Sequence, residues 1–164
     1  MRRRTDGQSI VEMALMLPLL LMILFAIIDL GYYVYGYATI YQAARNGSEK
    51  AYKLPPHEST INPLYRVEGN CVDAVLDEVE KGAVQFPDIA DPAHIQIRYP
   101  NGRQLKQPVE ISITYNIEPL TPLWRFVSFG NQGVMTVQTT SRRSIETLGV
   151  DPNKPNGVAC EPRP

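Results

Sequence analysis

Histidine, cysteine and net charge are all scarce in this chain, and each shortage closes off a class of function. Its 164 residues include two histidines, two cysteines and one tryptophan, with a formal net charge of -1. So small a charge, with no Lys/Arg-rich groove interleaved with aromatics, offers nothing to attract nucleic acid. His57 and His94 have no Cys, Asp or Glu at a ligand spacing, so no metal is expected. No G-x-S-x-G, Walker loop or G-x-G-x-x-G occurs, and Asp77, Glu78 and Glu80 belong to an exposed helix face. The expectation is a protein that is not an enzyme, with no catalytic residue and no cofactor. There are no internal repeats, and the glycosylation-type triplet at residues 46–48 is short enough to arise by chance.

Charge is also missing from one long stretch. Residues 13–28 carry none, Ile10 and Val11 precede them, and residues 30–38 continue uncharged after Asp29. A membrane-spanning helix needs about 20 largely apolar residues. Residues 10–31 satisfy this if Glu12 and Asp29 lie near the two interfaces. Arg2, Arg3 and Arg4 precede the run, so the positive-inside rule places the N-terminus in the cytoplasm and the remainder outside. Tyr32, Tyr33, Tyr35, Tyr37 and Tyr41 follow the run and suit an interfacial aromatic belt. A cleaved secretory signal fits poorly: the run is long, and no A-x-A-like site closely follows it. Pro18 lies within the span, where a membrane helix tolerates it as a kink. Helical character extends to about Tyr52, giving one helix about 65 Å long over residues 8–52. Gly31, Gly36 and Gly47 weaken it locally. Gly36, Ala43 and Ala44 would let neighbouring helices approach closely.

Glu12 sits where the apolar run begins, and an unpaired carboxylate in lipid costs several kcal/mol. Three arrangements relieve that cost. Glu12 can rest at the interface beside the positive end of the helix dipole. It can pair with an arginine of the leader. Or the chain is cut after Gly7, and the new amine at Gln8 of one subunit meets Glu12 of another. Such a pair in a low-dielectric site would fix the stagger between helices.

At these residues the sequence resembles the TadE-like pseudopilins of the tight-adherence (Tad) pilus, a type IV pilin-like family. The matching elements are the basic leader, Gly7, Val11, Glu12, Ala14, Leu17-Pro18, and Asp29 with Gly31. The stretch "QAARNGS" at residues 42–48 is similar to the AAR-x-G segment that often follows. Close similarity covers about residues 5–50; the rest resembles the family only in pattern. The resemblance implies cleavage after Gly7 by a membrane prepilin peptidase, so that the mature chain starts at Gln8. Arg2, Arg3, Arg4 and Asp6 would then be lost, removing two net positive charges. It implies assembly through Glu12, Pro18 and Asp29. The partners would be other pilin or pseudopilin subunits, the peptidase, the Tad inner-membrane assembly platform and membrane lipid.

Beyond Pro55-Pro56 a turn-rich linker runs to Gly69. Val72, Val75, Leu76, Val79 and Ala83 then recur at helical spacing, with Asn70 as N-cap and Asp73 in the first turn. The acidic face of this helix is either solvated or a docking surface. Strand alternation follows at residues 95–99 and 109–117, separated by an Asn-Gly turn signal at residues 100–103, and a third strand covers residues 134–144. Within residues 119–133, Thr121 suits a helix cap and Pro122 the first helical position, and Trp124 and its apolar neighbours follow. This segment covers a core edge, meets a partner subunit or dips into the outer leaflet. Cys71 and Cys160 are a candidate disulfide, worth about 4 to 5 kcal/mol in the chain-entropy model, or two lone thiols.

The expected fold class is α+β: a long transmembrane helix, then a small extracytoplasmic domain of one helix on a roughly three-stranded antiparallel sheet. The expected division is a leader at 1–7, the helix at 8–52, a linker at 53–69, the domain at 70–148 and a proline-rich tail at 149–164. The expected function is that of a minor pilin or pseudopilin that primes or caps the fibre. The alternative is an unprocessed single-pass anchor bearing a binding or sensor domain.

Overall fold

Leucine is the commonest residue in the first third of the chain, and it and alanine favour helix. The computed structural model shows a single unbroken one, α1 (Asp6–Ala51, 46 residues), with Pro18 inside it. At 1.5 Å per residue it is about 70 Å long. The structure describes residues 6–86, 88–124, 133–148, 160 and 162, with side chains described from residue 10 onward. Two helices follow, α2 (Glu58–Ile61) and α3 (Cys71–Gly82), and then three strands, β1 (Ile95–Arg98), β2 (Pro108–Ile117) and β3 (Met135–Ser144). The chain is α+β.

Two compact units share α1. One comprises the described residues of Met1–Gly36 and Ile117–Met135; the other, those of Tyr37–Asn116 and Thr136–Pro164. In the second unit the strand order is β1-β2-β3. β1 runs antiparallel to β2, with Ile95 opposite Ile113 and Ile97 opposite Ile111. Side-chain bonds from Ser112 to Thr140 (2.9 Å) and from Thr136 to Asn116 (2.7 Å) mark the antiparallel register of β2 and β3. Period-2 alternation buries Ile95, Ile97, Val109, Ile111, Ile113 and Val137 on one sheet face.

Two helices cover that face, where the sequence pattern predicts one. α3 contributes Val72, Val75, Leu76 and Val79, all buried. The C-terminal half of α1 contributes Ile40, Ala43, Ala44 and Ala51, also buried. Their spacing puts them on one helical stripe. A Cβ at Gly47 would lie 2.5 Å from Val79 Cγ2 and 3.1 Å from Ile111 Cδ1. Glycine therefore lets α1 sit directly on α3 and β2. A Cβ at Gly82 would lie 2.9 Å from the Ala43 Cα, so the approach is close from both sides. The small residues that suggest packing against other subunits thus serve, at Ala43 and Ala44, the chain's own core.

The connection between β1 and β2 is a loop over residues 99–107, with Gly102 at φ 79° and Lys106 at φ 65°. Arg103 anchors it. Its N–H donates to Glu58 (2.9 Å), its Nε to the Pro55 carbonyl (3.1 Å) and its Nη2 to the Leu148 carbonyl (2.9 Å). Tyr99 donates its hydroxyl to the Pro56 carbonyl (2.8 Å), and burial pushes that hydroxyl's pKa up. These bonds hold the loop against residues 55–58, so the turn-rich stretch is part of the folded unit.

Candidate functional site

The first half of α1 carries most of the residues singled out by sequence. Every described side chain in residues 10–24 is exposed, and most are large and apolar. The helix is long and apolar enough to cross a membrane, which is consistent with a single-pass anchor. Gly7 and Gln8 fall in its first turns; the Gln8 side chain lies outside the described residues. Glu12 is exposed, in the second turn of the described helix. A shallow apolar hollow of about 250 Å³ is lined by Met13, Met16, Leu17, Leu19, Leu20 and Ile23.

Coverage of this half begins at Phe25. From there to Gly36 the residues that are not exposed are Phe25, Ala26, Asp29, Tyr32, Tyr33 and Gly36, again on one stripe. Asp29 is 0% exposed. Thr121 satisfies both its oxygens: the backbone N–H donates to Oδ1 at 3.0 Å and the hydroxyl donates to Oδ2. One turn on, the Tyr33 hydroxyl donates to the Gly133 carbonyl. Gly133 has φ 78°, and a Cβ there would meet the Trp124 Cβ at 2.5 Å. Both constraints call for glycine. Asp29 and Tyr33 therefore clasp a folded-back segment, residues 118–124 with Gly133. The sequence pattern puts Asp29 at an interface but holds no sign of Thr121 as its partner. The Thr121 hydroxyl, read from sequence as a helix cap, donates to Asp29. Residues 125–132, including Phe126 and Phe129, lie outside the described residues.

Further features belong to the second unit. Cys71 and Cys160 are disulfide-bonded, with Cα atoms 5.4 Å apart and a sequence separation of 89. The acidic face of α3 is clasped by Arg66, which no sequence pattern marks. Its guanidinium reaches Asp73 (2.8 Å), Asp77 (2.6 Å) and Glu80 (2.6 Å), residues spaced four and three apart. The Arg66 hydrogen bond, with help from the Gly69 N–H, holds the Asp73 carboxyl below the usual carboxylate range. Asn70 caps α3, accepting from the Asp73 N–H at 2.7 Å. Both histidines serve the backbone: His57 Nδ1 accepts from the Ser59 N–H (3.2 Å), and His94 Nδ1 lies 3.1 Å from the Thr114 carbonyl. Ser48 is fully buried, its hydroxyl donating to the Arg45 carbonyl (2.8 Å) and 2.7 Å from the Ser141 hydroxyl. The triplet at residues 46–48 is thus part of a helix in the core. Among the described residues, no group of three or more His, Cys, Asp or Glu side chains is placed to hold a metal ion.

The sites of sequence interest therefore do not converge on one pocket. Apart from the Cys71–Cys160 disulfide they lie along α1: an apolar exposed segment at its start, a clasp midway, and a small-residue stripe at its end. No curated protein and no solved structure matches the chain. The family model described as TadE-like protein matches residues 7–49, which run from Gly7 through the Ala43-Ala44-Arg45 stretch. The likeness lies within residues 7–49 of the 164-residue chain, so it is the N-terminal segment that is TadE-like.

Proposed function

We propose that this protein is a minor pilin or pseudopilin of a Tad-type pilus, a structural subunit and not an enzyme. The observation that carries the reading is the first half of α1, apolar and exposed on all sides within the TadE-like segment. A helix without a polar face has no stable place in water; it needs lipid or other helices around it. The membrane holds it first, with the N-terminus in the cytoplasm and the second unit outside. A prepilin peptidase cuts after Gly7, freeing the Gln8 amine and removing the three arginines. In the assembled fibre, Glu12 of one subunit pairs with the Gln8 amine of the next. A buried pair of this kind tolerates one register only, which sets the stagger of the helices. Pro18 and the apolar hollow offer shape to a neighbouring stalk. The assembly platform draws the stalk from the membrane, and the subunit primes or caps a fibre that serves adhesion.

N-terminal sequencing of the membrane-extracted protein tests the reading. Gln8 as the first residue supports it. Met1 or Arg2 as the first residue, with no leader removed, overturns processing and favours an anchored binding or sensor domain.

A further inference from the structure

The geometry points to a second membrane contact: residues 119–124, latched to α1 by Asp29, rest in the outer interface of the bilayer and touch phospholipid. This rests on the reading of α1 as a membrane anchor. The depth follows from length. From Ile10 to Asp29 the helix rises about 29 Å, and a bilayer's hydrocarbon core is about 30 Å thick. With Ile10 at the inner boundary, Asp29 lies at the outer one. Thr121 is bonded to Asp29 through both its N–H and its hydroxyl, so the segment carrying it shares that depth.

The chemistry of the segment suits the place. Pro119, Leu120, Thr121, Pro122, Leu123 and Trp124 carry no charge, while Glu118 and Arg125 flank them. Leu120 is 63% exposed, and exposed Ile27, Ile28 and Leu30 continue the apolar surface on α1. Tryptophan favours the lipid–water boundary. Non-helical backbone enters a membrane only where its polar groups are satisfied. Here Thr121 and Asp29 satisfy each other, while the Trp124 Nε1 is buried with no hydrogen-bond partner. The depth set by Asp29, together with apolar side chains there, is what favours phospholipid over a partner protein as the occupant.

Trp124 is the chain's one tryptophan, so its emission reports this segment alone. The full chain is reconstituted in phosphatidylcholine vesicles brominated either near the headgroup or near the acyl ends. A fluorophore on Leu20→Cys, halfway along the span, serves as an internal ruler. The native cysteines are held in their disulfide and take no label. Expected is strong quenching of Trp124 by the shallow bromines only, with the Leu20 probe quenched by the deep ones. Trp124 quenched by neither, while the Leu20 probe responds, overturns the second contact and leaves the anchor standing. Both unquenched overturns the anchor reading and the contact with it. In Asp29→Ala the shallow quenching of Trp124 is lost while the Leu20 response stays; in Asp29→Asn, which keeps an acceptor for the Thr121 N–H, part of it returns. Quenching unchanged in Asp29→Ala overturns the latch. The wild-type measurement stands even if a variant fails to fold.

Discussion

The two halves of α1 are both rich in apolar residues, yet they are built for different neighbours. Between Ile10 and Leu24 the side chains are mostly leucine, isoleucine and methionine, and all are exposed. Between Ile40 and Ala51 the stripe that faces the core is mostly alanine and glycine, and it is buried. Large residues on every side suit a fluid or exchangeable partner, which adapts to shape. Small residues on one stripe suit a fixed partner that must come close, here α3 and β2. The size of the apolar residue, more than its hydrophobicity, separates the half that waits for other molecules from the half that already has its partner.

Substitutions in the two halves should therefore differ in cost. The largest effect is expected from replacing both Cys71 and Cys160 by serine, at about 2–5 kcal/mol. Chemical denaturation should show the loss in the second unit, with the helicity of the first half of α1 retained. Gly47→Val comes next, at about 3 kcal/mol, because its Cβ alone would sit 2.5 Å from Val79. A thermal melt unchanged by that substitution would break the claim that this half is committed to the core.

Arg66→Ala should cost about 1 kcal/mol at neutral pH, since the cluster is partly exposed and screened by solvent. Its pH dependence follows from Asp73. A carboxyl with a lowered folded pKa stabilises above its unfolded value, about 3.9, and that contribution fades as pH falls through the folded pKa. Wild type and variant should thus differ at neutral pH and converge in acid; a gap of constant size would contradict the pairing. The smallest effect belongs to the other half. Leu20→Ala should change the melt of the second unit by less than about 0.5 kcal/mol, because Leu20 is exposed and has no core to support.

Much of this architecture is legible in local patterns. The apolar run announces α1, the Val72–Val79 spacing announces α3, and Asn70 announces its start. Alternation at Val109, Ile111 and Ile113 shows which face of β2 is buried. What stays hidden depends on distance along the chain. Thr121 lies 92 residues from Asp29, and no periodicity links a buried carboxylate to a hydroxyl so far away. Arg66 stands outside the helix whose carboxylates it gathers, so the spacing of Asp73, Asp77 and Glu80 reads as a plain solvated face. Ala43 and Gly47 look the same in a helix that packs on another chain as in one that packs on its own domain; only the position of Val79 and Ile111 decides between them. The Asn-Gly signal at residues 101–102 does mark a turn, and Arg103 ties that loop to Pro55 and Leu148.

The exposed half of α1 is held to be a surface that other subunits cover, with Glu12 as its register mark. Counting pili on cells that carry Glu12→Ala, alongside N-terminal sequencing of the same protein, tests this most directly. The expected result is a chain that still begins at Gln8 and sits in the membrane, with pili lost or sharply reduced. Pili in normal number on those cells would contradict it.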